Sequence, residues 1–100
     1  MKRNKAKSII QIDNKLVRIT KYLFQPEEET GMHKHQFDYI ITPITNGKLI
    51  LVDKEGNKRN SILVASETYF RTAGVEHNVI NISEKKLIFV EVELKKGTSN

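Results

Sequence analysis

The sequence predicts an all-β fold, a small closed barrel or a pair of facing sheets, in a single domain over residues 1–100. Three observations carry that reading. Short β-branched and aromatic runs recur along the chain, turn-forming residues separate them, and no long apolar stretch with a 3.6-residue period and helix caps interrupts them. Many short strands joined by turns imply closure or two sheets, because an open sheet of this size would leave one face and two edges uncovered.

The first strand is Leu16–Phe24, rich in β-branched and aromatic side chains and ended by Gln25-Pro26. The acidic run Glu27-Glu28-Glu29 follows, either a solvated loop or a source of a carboxylate for a site elsewhere. From Met32 to Ile44 the chain reads as strand again, with Pro43, which cannot donate to a ladder, marking an edge or a bulge. Asn46-Gly47, set between apolar runs, predicts a tight hairpin with positive φ angles, and residues 53–57 (Asp-Lys-Glu-Gly-Asn) a looser turn. Ser61–Ala65, Thr68–Thr72, His77–Ile82 and Leu87–Leu94 complete the strands. In the last of these Ile88, Val90, Val92 and Leu94 share one face, which is read as the core face, and Glu91 and Glu93 lie on the other.

Composition narrows the function. The chain has 38% hydrophobic residues and only two prolines, as an ordinary globular domain does. It has no cysteine, which excludes disulfides and thiolate metal sites, so any metal must use histidine, oxygen or water. The formal charge of +5 is concentrated in Lys2, Arg3, Lys5 and Lys7. This arm is read as a solvated, frayed end, as is the tail 95–100, and not as a specific nucleic-acid interface, because no aromatic platform or binding motif accompanies it. No segment approaches ~18 uninterrupted apolar residues and none resembles a signal peptide, so a soluble, cytoplasmic protein is expected, without a membrane partner. Asn81-Ile82-Ser83 matches a glycosylation sequon that has no meaning without secretion.

All three histidines lie in two short motifs. His33 and His35 project from one face of an extended segment, since side chains alternate along a strand, and His77 lies in a second strand-like segment more than forty residues away. If the sheet curls, the three can meet at one divalent ion. By the same parity Phe37 and Tyr39 should face the cavity with His33 and His35, and Asn81 with His77, while Gln36 and Asp38 point away.

The segments Gly31-Met32-His33-Lys34-His35-Gln36-Phe37-Asp38-Tyr39 and Gly74-Val75-Glu76-His77-Asn78-Val79-Ile80-Asn81 resemble the two signature motifs of the cupin superfamily. The first motif there has His-x-His, then Glu, then Gly; here the Glu slot holds Tyr39 and the Gly is Gly47. The second has Gly-x-x-His-x-x-x-Asn, met by Gly74, His77 and Asn81, with Thr72 and Ser66 where Pro and Gly are usual. The resemblance covers about Leu16 to Leu94 and implies a single-domain cupin-like jelly roll, or small β-barrel. It implies His33, His35 and His77 as ligands of Fe, Mn, Zn or Ni, or else a metal-free polar pocket.

Two functions follow from this set. One is a metal-dependent enzyme of dioxygenase, isomerase or lyase type acting on a small polar molecule, with Tyr39 as fourth ligand, substrate orienter or general base. The other is a binding module without turnover. In either, Arg71 would meet a ligand carboxylate or phosphate, or else is a surface arginine, and Phe37 and Asn81 would line the pocket. Tyr69 and Phe70 are read as core or cavity lining. A domain this small leaves sheet edges exposed, so a homodimer is expected, with Ile9-Ile10 as the strand that seals an edge or crosses to the partner.

Overall fold

The structure, a computed structural model, describes residues 2–95. Among these it has nine strands and no helix: β1 (Lys7–Asp13), β2 (Val17–Phe24), β3 (His33–Lys34), β4 (Asp38–Pro43), β5 (Gly47–Asp53), β6 (Lys58–Leu63), β7 (Tyr69–Arg71), β8 (Glu76–Asn81) and β9 (Leu87–Leu94). They form two facing sheets, one ordered β1-β2-β9-β4-β7 and the other β3-β8-β5-β6. The architecture is the two-sheet β-barrel that the sequence predicts, and every ladder in it is antiparallel.

The inner faces meet in a core of Phe24, Tyr39, Ile41, Leu49, Leu63, Val79, Leu87 and Phe89. Tyr22, Phe24 and Phe89 form an aromatic triangle with ring centroids 5.3–6.3 Å apart at one end of it. Leu87 and Phe89 belong to the face of β9 that also carries Glu91 and Glu93, and all four are buried. The sequence reading of β9 is therefore inverted. Ile88, Val90, Val92 and Leu94 are only half-buried and lie on the outer face of the five-stranded sheet. The acids go inward because Leu87 and Phe89, on the same parity, fill the barrel's core, and a strand has no way to turn half of one face over without a bulge.

The Asn46-Gly47 turn is not a hairpin. β4 pairs with β9 and β7 whereas β5 pairs with β6 and β8, so these two residues carry the chain from one sheet to the other. Gly47 does not have a positive φ. What it supplies is space: a Cβ there would lie 2.5 Å from Leu87 Cδ1 and 2.9 Å from Ser83 Oγ. Asn46 fixes the corner by accepting a hydrogen bond from the Ala65 N–H at 2.8 Å. The real hairpin joins β5 to β6 through residues 53–57, where Asp53 Oδ1 accepts the N–H groups of Glu55 and Asn57 and Gly56 takes φ +90°.

The run Met32–Ile44 divides in the same way. β3 belongs to the four-stranded sheet and β4 to the other, with residues 35–37 crossing between them. Pro43 is the last residue of β4, opposite Phe89 and fully buried, so it ends the strand without lying on an edge. β1 pairs with β2 along its own chain and forms an outer edge of the five-stranded sheet, a longer strand than Ile9-Ile10 alone suggests. Its approach is anchored: the Ala6 N–H donates to Glu29 O at 2.8 Å, and Arg3 pairs with Glu27 at 2.6 Å. Residues 3–6 are thus held against the loop after β2, where the sequence predicts a frayed end. Of the tail at 95–100, only Lys95 lies among the described residues.

Gly47→Ala should destabilise the fold by about 1–3 kcal/mol, the usual cost of forcing a methyl group into packed space. Urea unfolding measures it. A variant as stable as the parent would show that the crossover is not tight.

Candidate metal centre and ligand cavity

β3 and β8 pair so that His33 lies directly opposite His77. His35 comes two residues later, past the end of β3, where its N–H donates to Val75 O at 2.8 Å and its carbonyl accepts from the Gly74 N–H at 2.9 Å. Pinned between β3 and the 74–75 turn, its ring faces the same space. The His35 Nε2 atom lies 3.1 Å from Nε2 of His33 and 3.2 Å from Nε2 of His77. Nitrogen donors bound at ~2.0–2.1 Å to one ion, subtending ~90–110° there, lie ~2.8–3.4 Å apart. The observed spacings fit, and the three residues form a cluster able to hold a divalent metal.

The nitrogens also present the right lone pairs. His33 Nδ1 lies 2.8 Å from the Gly31 carbonyl, which can only accept, so Nδ1 carries the proton and Nε2 is left free for a ligand bond. Thr30 Oγ1 lies 3.2 Å from the same Nδ1 and accepts the Val79 N–H, which ties the loop before β3 to β8. Burial, reinforced by the neighbouring His33, brings His35 down to about 4. Burial and the other two histidines bring His77 down to about 3. Both rings are neutral at physiological pH, the form that binds metal.

Tyr39 stacks on His35, with ring centroids 3.9 Å apart and planes 20° from parallel. Burial, with the charge of Glu91 adding to it, pushes its phenol up to about 12. It is thus a neutral phenol that holds the His35 ring by stacking, a setting that weighs against a general-base role. Across the cavity β9 supplies what the sequence reading placed outside: Glu91 and Glu93, buried, within 4.8 Å of a His35 ring nitrogen as a second ligand-capable group. Glu93 is paired with Arg18, at 2.7 Å to Nε and 3.4 Å to Nη2. Glu91 has no ion pair among the described residues, and burial together with Glu93 raises it to about 7.

These groups surround a cavity of about 60 Å³ lined by His33, His35, His77, Tyr39, Glu91, Arg59, Arg71 and apolar side chains from both sheets. At ~10–15 Å³ per water, this holds about four to six waters, or a ligand of about half a dozen heavy atoms.

The chain is 48% identical over 93 residues to the beta-alanine degradation protein BauB of Pseudomonas aeruginosa, a match covering 93% of this chain and 97% of that one. A cupin domain from Bordetella pertussis superposes on it with a TM-score of 0.90 at 46% identity, over 95% of this chain and 98% of the other. The chain belongs to the cupin superfamily. A Klebsiella pneumoniae protein with a double-stranded β-helix domain, 16% identical, shares the fold with a TM-score of 0.76 over 99% of this chain and 84% of its own. No family model matches the chain.

The motif residues of this cupin separate into two groups. His33, His35, His77, Tyr39 and Arg71 line the cavity. Phe37 does not; it lies in the crossing between the sheets, half-buried, where the alternation that would have aimed it inward has lapsed. Asn81 does not either. It shares the face of His77, but four residues along β8, ~13 Å away, at the opposite end of the barrel. There it is fully buried, and its side chain donates to the carbonyls of Phe24 and Lys85 and accepts the Ser83 N–H, so it closes that end. Asp38 faces away and accepts the Ala73 N–H. Tyr69 lines the cavity with Arg71 over its ring at 4.5 Å, and Phe70 is exposed on the outside.

The acidic run stops short of the histidines. Glu27 pairs with Arg3, Glu28 accepts the Gln25 N–H, and Glu29 accepts from the Asn78 side chain at 2.8 Å. Arg59 was not singled out from the sequence, because Lys58-Arg59-Asn60 reads as a polar strand end. Alternation from Leu51, its partner in the ladder, would have placed it on the inner face.

Stability of the metal-free protein should follow these groups with opposite signs. His35 and His77 are depressed below the unfolded value of about 6.5, so their contribution is complete above it and is lost as pH falls toward 4 and below. Glu91 is raised, so its contribution is complete below about 4.5 and is lost as pH rises through 7. Thermal unfolding in chelator should therefore show stability rising between pH 4 and 6.5, and rising more steeply in Glu91→Gln. A flat profile in both proteins would mean that the histidines are not held neutral by the fold.

Proposed function

We propose that this cupin is a metal-dependent enzyme acting on a small polar molecule that carries a carboxylate. The observation that supports it most directly is the convergence of three imidazoles, with His35 Nε2 3.1 and 3.2 Å from Nε2 of His33 and His77, on a cavity that arginines also reach. In this reading His33, His35 and His77 hold a divalent ion of the Fe, Mn, Zn or Ni kind. Arg71, aided by Arg59, engages the carboxylate by paired N–H donors. Tyr39 holds His35 in place and offers its O–H to the ligand. A bound ion would act as a Lewis acid on a ligand oxygen. Dioxygenation, isomerisation and lyase chemistry are all open to such a centre. The BauB relative is named for degradation of β-alanine, a six-heavy-atom carboxylate, and a substrate of that size suits the cavity.

The same proposal places the protein in the cytoplasm; no helix of the described residues is long and apolar enough to cross a membrane. It also includes a homodimer. The ladder registers put Ile12, Ile19, Val92, Ile40 and Phe70 in one row across all five strands of the outer sheet face. Ile12 is 47% and Phe70 50% exposed in the single chain. A flat apolar face this wide is seldom left to solvent, and a second copy can cover it through a two-fold contact.

Untagged protein purified without chelator should carry close to one divalent ion per chain by elemental analysis, and His33→Ala or His77→Ala should reduce zinc affinity at least a hundredfold. Metal-free parent protein that takes up no zinc on titration would favour the binding module instead. Light scattering should give twice the chain mass, and Phe70→Lys with Ile12→Lys should give monomer; a parent monomer at high concentration would remove the dimer.

A further inference from the structure

The cavity is charged asymmetrically. On one side Arg59 and Arg71 extend to it, and the positive field of Arg59 reaches both His77 and Tyr39. On the other side stands Glu91, 6% exposed, with no ion-pair partner among the described residues. Arg18, on that side, is paired with the neighbouring Glu93 and reaches Glu91 only through its field, and Lys34 lines the adjoining groove without an ion pair to Glu91. The registers separate the two ends. Across β9, β4 and β7 the rows read Glu91, Ile41, Tyr69 and Glu93, Tyr39, Arg71. Glu91 and Arg71 are thus two strands and one inward-facing position apart, ~12 Å between backbones at ~4.8 Å per strand and ~3.3 Å per residue. The three histidines face the space between.

A buried carboxylate with no cation is costly unless it stays protonated or something positive comes to it. A buried side chain of this kind, aimed into a ligand cavity whose opposite end is cationic, is explained by a ligand with charges in the reverse order. We infer that the cavity selects a short amino acid, its carboxylate at Arg59 and Arg71 and its ammonium against Glu91. This rests on the proposed carboxylate-binding function and adds the second recognition group. It also gives Glu91 a role beyond the second ligand-capable group that it forms with His35 and Glu93.

Calorimetry on zinc-loaded protein at pH 7.5 tests this with three probes of similar size: β-alanine, propionate and n-propylamine. β-Alanine should bind at least tenfold more tightly than either of the others. In Glu91→Gln that advantage over propionate should fall to less than threefold, with zinc affinity within about twofold of the parent. Equal binding of β-alanine and propionate to the parent overturns the inference while leaving a metal-dependent carboxylate enzyme in place. Loss of zinc in Glu91→Gln with the β-alanine preference intact also overturns it, because the carboxylate then belongs to the metal. If the parent takes up no zinc, the metal reading fails on its own, and the three-probe comparison is made on metal-free protein. Should Glu91→Gln not fold, the comparison on the parent decides.

Discussion

The inward face of β9 divides this barrel in two. Leu87 and Phe89 pack against Phe24 and Tyr22 and close one end as a dry core, and two steps further on Glu91 and Glu93 make the other end polar. Strict alternation forces both from one strand, and β9 lies at the centre of its sheet, hydrogen-bonded to β2 and β4 along its length. A one-residue slip would exchange the acids for Val90 and Val92 and bury no charge, but it would also expose Leu87 and Phe89. The aromatic cluster therefore holds the carboxylates in place. Their desolvation is offset locally for Glu93 by Arg18, and for Glu91 by the proton that its raised pKa retains at lower pH.

The histidine centre depends on a different part of the chain. Thr30 and Gly31 fix His33, Asn78 accepts the Gly31 N–H and donates to Glu29, and Glu29 receives the arm through Ala6. The loop between β2 and β3 thus works as a strap that orients one ring and ties it to β8, the strand of another. Lys5 lies 3.6 Å from Glu29 at the outer end of this chain of contacts, too exposed to add much. A hydrogen bond on the far ring nitrogen, as His33 makes to Gly31, is the kind of orientation that prepares a histidine to bind a metal.

What was legible in the sequence was local. His33 and His35 share a face because two residues of extended chain separate them, and the strand through His77 was recognisable from its β-branched neighbours, so the centre could be placed before any tertiary information. The errors all concern relations between distant segments. Asn46-Gly47 has the composition of a hairpin turn, but whether β4 turns back on β5 or leaves for the other sheet is decided by β9, which is forty residues away and occupies the place beside β4. The face of β9 was misjudged because Ile, Val, Val and Leu outnumber Leu and Phe, and counting apolar residues ignores that the larger Phe89 is the one the aromatic cluster needs. Asn81 has the parity of His77, and only length along the strand separates a ligand position from a structural plug.

The two faces of the five-stranded sheet share the same ladders. A chain of 100 residues has little interior to begin with, and here part of it is given to histidines, carboxylates and a cavity. The apolar surface that a fully packed barrel would have buried inside has its counterpart outside, in the row from Ile12 to Phe70. A second copy covering that row, as in the proposed dimer, would add hydrophobic stabilisation on the far side of the same strands that carry Glu91, Tyr39 and Arg71, without filling the cavity. Register along the strands ties the two faces together: the ladders that align Ile12 to Phe70 outside also align Glu91 with Ile41 and Tyr69, and Glu93 with Tyr39 and Arg71, inside.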